Sequence, residues 1–129
     1  MSRYTPFDYP VISKLIIYPK TIEQTIYAAK IVKEYSDGKI YFFGNFSNSI
    51  IHEKSKILNQ SLIITKNLKK FNIFEKGNFC EIESGYPLPK FSNILSNKNF
   101  EGFSGLLGIP GSIGGSIFMN AGSFGHEIS

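Results

Sequence analysis

Glycines with core-type residues between them form the most chemically suggestive pattern in this 129-residue chain. Eight of its 12 glycines lie in Glu101–Ser129, here called the glycine stretch, beside apolar residues such as Leu106, Ile113 and Phe118. This mixture indicates a buried backbone that turns tightly and lets another group approach closely. The backbone N–H groups of such a loop can converge on a phosphate, especially where a helix begins just after it. Spacing alone also allows a set of tight turns in a compact β-rich domain.

The residues of Gly108–Ile128 carry more information than their spacing. They read GIPGSIGGSIFMNAGSFGHEI and closely resemble the hallmark of the UDP-N-acetylenolpyruvoylglucosamine reductase family. That hallmark is G-I-P-G, a small residue, an aliphatic residue and G-G, followed by M-N-A-G, an aromatic residue, G and Glu. The resemblance implies an FAD site in which this loop lies along the flavin and its diphosphate. The residues implied to bind FAD here are Ile109, Pro110, Gly111, Ser112, Gly114, Gly115, Asn120 and Gly122.

A second FAD-binding segment is implied just after the predicted strand Lys39–Phe43. The family reads L-G-G-G-S-N at this place, where it wraps the FAD diphosphate, and this chain reads F-G-N-F-S-N. The residues implied to bind FAD are Gly44, Asn45, Ser47 and Asn48. Asn45 and Phe46 replace two glycines, and phenylalanine is a poor choice where the backbone must approach a ligand closely. This departure predicts weaker FAD binding, a shifted cofactor pose or a site no longer under selection.

The catalytic residues of the family have no counterpart in this sequence. In the family, NADPH reduces FAD, and the reduced flavin delivers hydride to the enolpyruvyl double bond of a UDP-sugar. The family uses an Arg shortly after the glycine stretch, then a Ser and a Glu in a C-terminal substrate domain. The sequence stops at Ser129, before these regions, and its only arginine is Arg3. We therefore assign no catalytic residue and expect the substrate domain to be absent.

Two functional hypotheses follow from this pattern. In the first, the chain is the FAD-binding portion of such a reductase, as a fragment, a truncated product or half of a split enzyme. In the second, it is a non-catalytic flavin-binding or interaction module, or the product of a decaying gene. A third hypothesis, a nucleic-acid-binding domain, rests on the lysines between Lys54 and Lys70 and predicts salt-dependent binding. Without interleaved stacking aromatics, those lysines are more typical of a solvated face, so no nucleic-acid partner is expected.

The elements that must position these loops can be predicted from periodicity. Thr21 and Gln24 form a capping-box pattern, and Ile22, Ile26, Ala29 and Val32 recur at helical spacing as a buried face. Ser36-Asp37-Gly38 should end this helix. Strands are predicted at Leu15–Tyr18, Ile40–Phe43 and Leu62–Ile64, and a hairpin at Phe71–Phe74 and Phe79–Glu83 around the turn Lys76-Gly77-Asn78. A short helix should carry Phe91, Ile94 and Leu95 on one side.

These elements predict an α+β protein. The resemblance implies two small α/β subdomains around a bound FAD, in the PCMH or vanillyl-alcohol-oxidase-like arrangement. The first should cover residues 1–65 and the second residues 66–129. A chain with 42% hydrophobic and 15% aromatic residues is globular rather than disordered.

The remaining polar residues give weaker signals. Cys80 is the only cysteine, which excludes an internal disulfide and fits a reducing cytoplasm. It is best interpreted as a core residue. His52 has no His, Asp or Cys at ligand spacing, so no metal site is expected. Glu81 and Glu83 share one face of a strand and are more typical of a solvated edge than of an acid–base pair. No apolar run is long enough to cross a membrane.

Overall fold

A computed structural model describes residues 12–35, 39–50, 57–74 and 79–128 of the chain. The chain divides into two compact units, Met1–Leu68 and Lys69–Ser129. Both units combine helix with small sheets, which confirms the predicted α+β class. Some sequence predictions concern residues outside the described ranges, namely Arg3, the helix end at 36–38, His52, the lysines at 54 and 56, and the turn at 76–78.

The first unit is built on a three-stranded parallel sheet. Its elements are β1 (Ile12–Ile17), α1 (Ile22–Tyr35), β2 (Ile40–Phe43) and β3 (Ile57–Ile64), with the strands in the order β1-β3-β2. Leu62, Ile63 and Ile64 of the central strand are fully buried, because a strand that is paired on both edges and covered by a helix favours apolar side chains. Pairing of Phe43 with Ile64 aligns the carboxyl ends of β2 and β3.

Helix α1 begins with the predicted cap. The Gln24 N–H donates to Thr21 Oγ1 at 3.2 Å. The Gln24 side chain accepts from the Lys20 N–H at 2.8 Å, one residue before the cap. These bonds pair backbone donors that have no partner within the helix itself.

The predicted buried face of α1 is partly wrong. Ala28 and Val32 are buried, but Ile22 and Ile26 are both more than half exposed. The packed stripe runs through Thr25, Ala28 and Val32, so it lies one position before the predicted Ile26 and Ala29 but includes Val32 as predicted. Thr25 Oγ1 donates a hydrogen bond to the Thr21 carbonyl. Two adjacent stripes are compatible with one helical period, and the one that is buried here carries the smaller side chains.

The second unit begins with the predicted hairpin. Strands β4 (Phe71–Phe74) and β5 (Phe79–Ile82) pair antiparallel. The chain continues through α2 (Leu88–Asn97), a 3₁₀ turn at Ser104–Leu106, α3 (Ile113–Phe118), and the short strands β6 (Gly122–Ser123) and β7 (His126–Glu127). One apolar core joins α2, the 3₁₀ turn and the start of α3, and strands β4 and β5 pack against it; its buried residues are Tyr86, Leu88, Phe91, Leu95, Leu106 and Ile113. The glycine stretch therefore contributes core residues as well as turns.

Cys80 and Glu81 of β5 follow the predicted alternation, whereas Glu83 lies just after the strand and is half-buried rather than solvated. Cys80 packs against the core and burial raises the pKa of its thiol, which suits a core residue rather than a nucleophile. Glu81 is exposed, whereas Glu83 accepts a hydrogen bond from the Lys70 N–H at 2.6 Å. These two carboxylates have separate environments, so they do not form an acid–base pair.

None of the helices in the described ranges combines the length and the apolar character that crossing a bilayer requires.

Candidate functional site

The loop Gly44–Ser49, here called the β2 loop, begins where strand β2 ends. Its base is firmly held, since the Phe43 carbonyl accepts both the Thr65 N–H at 2.9 Å and Thr65 Oγ1 at 3.3 Å. The Ser49 N–H donates to the Phe46 carbonyl at 3.3 Å and closes a tight turn. Asn45, Ser47 and Asn48 are exposed. Three polar side chains are thus presented to solvent on a loop fixed at the edge of a sheet.

Phe46 occupies a backbone conformation that normally favours glycine. Its φ is 57°, yet its side chain is only 6% exposed. The ring stacks on Phe43 with the centroids 4.6 Å apart and the planes inclined by 16°. The left-handed backbone costs a non-glycine residue about 1–2 kcal/mol. Burying an aromatic side chain recovers about 1.5–3 kcal/mol, so the inward position is favourable.

This geometry changes the interpretation of Phe46, which stands where the family has a glycine. The sequence predicted that a large side chain would hinder close approach of a ligand to the loop backbone. The structure instead removes the ring from solvent, while the residues on either side of it stay exposed. Phe46 therefore preserves the glycine-like backbone and leaves the exposed side of the loop clear.

In the second unit, Ser112 caps the start of α3. Its Oγ accepts the Gly115 N–H at 3.4 Å, and its carbonyl accepts Ser116 Oγ at 2.9 Å. Ser112 is buried, and the preceding Gly111 has a φ of 144° that suits glycine. Ile109 and Pro110 approach this cap from the preceding turn. The first turn of α3 is thus stabilised within the protein.

The N–H groups at this helix start already have protein acceptors. The Ile113 N–H donates to the Tyr86 carbonyl at 2.9 Å, and the Gly114 N–H donates to the Ser84 carbonyl at 2.8 Å. The expected convergence of free N–H groups on a phosphate is therefore not met at these positions. The reason is tertiary, because the stretch is bonded to the segment that precedes α2, including a bridge between Pro87 and Ser112.

Three glycines of the stretch are required by packing. A β-carbon at Gly114 would lie 2.7 Å from Ser84 Cβ, and one at Gly122 would lie 2.7 Å from the His126 carbonyl oxygen. A β-carbon at Gly105 would overlap the His126 ring. Real β-carbons do not tolerate such distances, so these glycines are explained by the fold alone.

Gly108 and Gly115 have no such explanation. In the part of the chain that the structure describes, a β-carbon at Gly108 would have no neighbour within 4 Å. At Gly115 it would meet only Ser112 Oγ, at an ordinary 3.5 Å. Both residues are exposed. Their backbone is accessible to another molecule, and Gly108 was not among the predicted contacts, although the G-I-P-G motif contains it.

The end of the stretch is a closed hairpin. Asn120 has a φ of 45°, and its side-chain amide donates to Glu127 Oε2 at 2.9 Å. Gly122 pairs with Glu127 in the short ladder. Around the hairpin, several large apolar side chains are exposed, namely Ile117, Phe118, Met119 and Phe124.

The structure thus places the predicted residues in two groups. Gly44, Asn45, Ser47 and Asn48 share the β2 loop of the first unit. The others surround α3 in the second unit. Within the described ranges, no three His, Cys, Asp or Glu side chains gather in a way that could hold a metal ion.

The fold and its loops are those of an α+β ligand-binding domain. Its exposed polar and glycine-containing loops connect small sheets and helices. The chain belongs to the FAD binding domain family, whose model matches residues 13–129.

Full-length relatives give a finer comparison. The chain is 30% identical to the UDP-N-acetylenolpyruvoylglucosamine reductase of Alkaliphilus metalliredigens, over 99% of this chain and 41% of that protein. It is 35% identical to the reductase of the same name from Petrotoga mobilis, over 99% of this chain and 42% of that protein. The predicted resemblance to this reductase family is confirmed. The chain spans about two fifths of the length of these relatives.

A solved structure supports the fold. The crystal structure of the reductase from Thermus caldophilus matches with a TM-score of 0.57 at 24% identity. The match covers 87% of this chain and 37% of that one.

Proposed function

We propose that this chain is the FAD-binding portion of a reductase. The complete reaction would use NADPH to reduce UDP-N-acetylglucosamine enolpyruvate to UDP-N-acetylmuramate, in cytoplasmic peptidoglycan synthesis that supports cell shape and division. The observation that carries the proposal is the similarity of 99% of this chain to reductases of that name. The UDP-sugar would be bound by polypeptide outside these residues.

The exposed polar groups of the β2 loop suit the binding of a diphosphate. Asn45 and Asn48 offer amide donors, and Ser47 offers a hydroxyl donor, on a backbone that is already turned and anchored. Hydrogen-bond donors fixed in advance bind phosphate oxygens with less loss of conformational entropy. We assign Gly44, Asn45, Ser47 and Asn48 to this role.

The glycine stretch offers a surface that suits contact with a flat ring system such as the flavin. Gly108 and Gly115 lack side chains, are exposed and have no packing requirement in the described structure. Ile109, Pro110, Gly111, Ser112 and Gly114 hold this surface in place, and Asn120 and Gly122 continue it. The exposed apolar residues Ile117 and Phe118 suit an aromatic neighbour better than water.

FAD, when bound, supplies hydride transfer, and the chain's own residues bind and orient it. Stabilising an enolate requires a cation near the substrate carboxylate. Arg3 is the only arginine of the sequence and lies outside the described residues. The second candidate is a flavin-binding module that does not itself catalyse the reduction, and the replacement of two family glycines by Asn45 and Phe46 favours it.

Titration of the purified chain with FAD tests the proposal. Binding should perturb the visible flavin spectrum and quench flavin fluorescence. Riboflavin, which lacks the diphosphate, should bind much more weakly. A chain that is folded by circular dichroism and leaves the FAD spectrum unchanged would contradict the proposal.

Oxidation of NADPH in the presence of FAD distinguishes the two candidates. A chain that binds FAD should reduce the UDP-sugar only when the remaining part of a reductase is supplied. Binding of FAD without activity, even in that mixture, would favour the non-catalytic module.

A further inference from the structure

The stack between Phe43 and Phe46 links the β2 loop to the sheet. Phe43 is the last residue of β2, is paired with Ile64 and has its carbonyl bonded twice by Thr65. It is therefore among the best-fixed residues at this edge of the sheet. The Phe46 ring stacks on Phe43 with the ring centroids 4.6 Å apart, and this contact holds the Phe46 side chain against the sheet.

The position of Phe46 in turn decides which loop residues face solvent. Its ring is buried, whereas its neighbours Asn45 and Ser47 are exposed. Its carbonyl accepts the Ser49 N–H and so closes the turn that contains Ser47 and Asn48. A backbone rearrangement that moved the Phe46 ring into solvent would reorient both polar neighbours and break the turn.

We propose that Phe46 is a positioning residue that anchors the β2 loop in the conformation that receives the phosphates of FAD. Glycine could adopt the same φ, but it also populates many others in the free protein. The buried ring selects one of these conformations before the ligand arrives, which lowers the entropy lost on binding. The chain thus uses an aromatic anchor where the resembling sequences use glycine. This inference rests on the proposed function, since it assigns a role within the FAD site.

The variant Phe46→Gly tests whether the ring fixes the β2 loop for FAD binding or instead hinders the approach of FAD. It removes the ring and keeps the φ accessible. If Phe46 anchors the loop, FAD should bind about 3- to 10-fold more weakly, as expected for ordering one loop turn on binding. In the free protein, hydrogen exchange at the Ser49 amide should become faster. If the ring were an obstacle, the variant would bind FAD as tightly as the wild type or more tightly, and the proposal would be overturned.

The variant Val32→Ala controls for lost stability. Val32 is buried in the same unit on α1 and is not part of the β2 loop. It should lower the melting temperature while leaving FAD affinity and exchange at Ser49 near their wild-type values, measured where all variants remain folded. An equal loss of affinity in Val32→Ala would show that Phe46 acts through stability alone, which overturns the proposal.

Two further outcomes can be separated. Should Phe46→Gly fail to fold, Phe46→Leu keeps a buried apolar side chain without the stack and should bind more weakly than the wild type. Affinity for FAD at or above the wild-type value in that variant would reject the anchor. Should the wild-type chain bind no FAD, the proposed function fails by itself. The exchange measurement then decides the anchor, because unchanged exchange at Ser49 in Phe46→Gly or Phe46→Leu would overturn it.

Discussion

The side-chain amide of Asn120 donates to the carboxylate of Glu127 at 2.9 Å and joins the two ends of the hairpin that closes the glycine stretch. Asn120 adopts a φ of 45°, which asparagine tolerates better than most residues. The backbone supports the same closure, since the Ala121 N–H donates to the Ser116 carbonyl at 2.8 Å and the Ile128 N–H donates to the Ala121 carbonyl at 3.1 Å. Asn120 therefore has a structural role before any ligand binds.

Replacement of Asn120 should separate the effect of its hydrogen bond on stability from the effect of its positive φ. Asn120→Ala loses the hydrogen bond and keeps the strained φ, so the free energy of unfolding should fall by about 1–2 kcal/mol. Asn120→Gly loses the bond but relieves the strain, and should cost clearly less. Urea denaturation of the FAD-free chain measures both values. Equal losses in the two variants would exclude backbone strain as a contribution.

Gly114 should be sensitive to a methyl group because of packing. In Gly114→Ala the new β-carbon would lie 2.7 Å from Ser84 Cβ. The hydrogen bond from the Gly114 N–H to the Ser84 carbonyl would then be displaced. We expect a loss of about 1–3 kcal/mol in unfolding free energy, as for other overpacked sites. Thermal denaturation monitored by circular dichroism checks this, and an unchanged melting temperature would contradict the described contact.

Gly115 provides the matched comparison one residue further along the same helix. A β-carbon there meets only Ser112 Oγ at 3.5 Å, and alanine favours helix over glycine by about 1 kcal/mol. Gly115→Ala should therefore keep or raise the stability of the free chain. If FAD lies against this surface, its affinity should fall by about tenfold or more, equivalent to about 1.4 kcal/mol.

Gly108→Ala extends the same experiment to a position where the described structure leaves open space. Fluorescence titration with FAD, performed beside thermal denaturation, separates the two effects. Loss of affinity without loss of stability at Gly108 and Gly115 would support their assignment to the cofactor surface. Wild-type affinity in both variants would remove them from it.

Two isoleucines of α3 should differ in their contribution to stability. Ile113 is 3% exposed in the core, whereas Ile117, one helical turn later, is 62% exposed. Ile113→Ala should cost about 2–5 kcal/mol, the usual range for a buried aliphatic residue. Ile117→Ala should change the stability of the FAD-free chain by less than about 0.5 kcal/mol. Comparable losses would mean that Ile117 is buried in solution by another surface.

The thiol of Cys80 predicts a pH dependence. Burial raises its pKa above the ordinary value of 9.0, so at alkaline pH the unfolded chain loses this proton before the folded chain does. Stability should therefore fall as the pH rises above about 9. Urea denaturation between pH 8 and pH 10 measures the slope, at roughly the pH range where a free thiol titrates. Cys80→Ala should show a smaller decline, and an identical decline would assign the effect to other groups.

Local patterns in the sequence were enough to predict much of the fold. The capping pattern at Thr21 located the start of α1, and the apolar run at Leu62–Ile64 located the end of the central strand, which begins earlier, at Ile57. The alternation of Cys80 and Ile82 with charged residues identified the inward side of β5. The motif around Gly108–Gly111 indicated the family. Each of these signals depends on neighbouring residues, because caps, strand alternation and tight turns are set by bonds a few positions apart.

Tertiary structure decided what the sequence left open or predicted wrongly. It left Ile22 and Ile26 exposed and buried Ala28 beside the predicted Val32, and it turned Phe46 inward onto Phe43. It also supplied hydrogen-bond acceptors for the N–H groups at the start of α3. These acceptors, which include the Tyr86 carbonyl, lie in a segment almost thirty residues earlier in the sequence. Burial and hydrogen-bond partnership depend on which distant segments meet. A period of 3.6 or a run of glycines specifies a local shape, and only the packed fold determines which side of that shape remains available to a ligand.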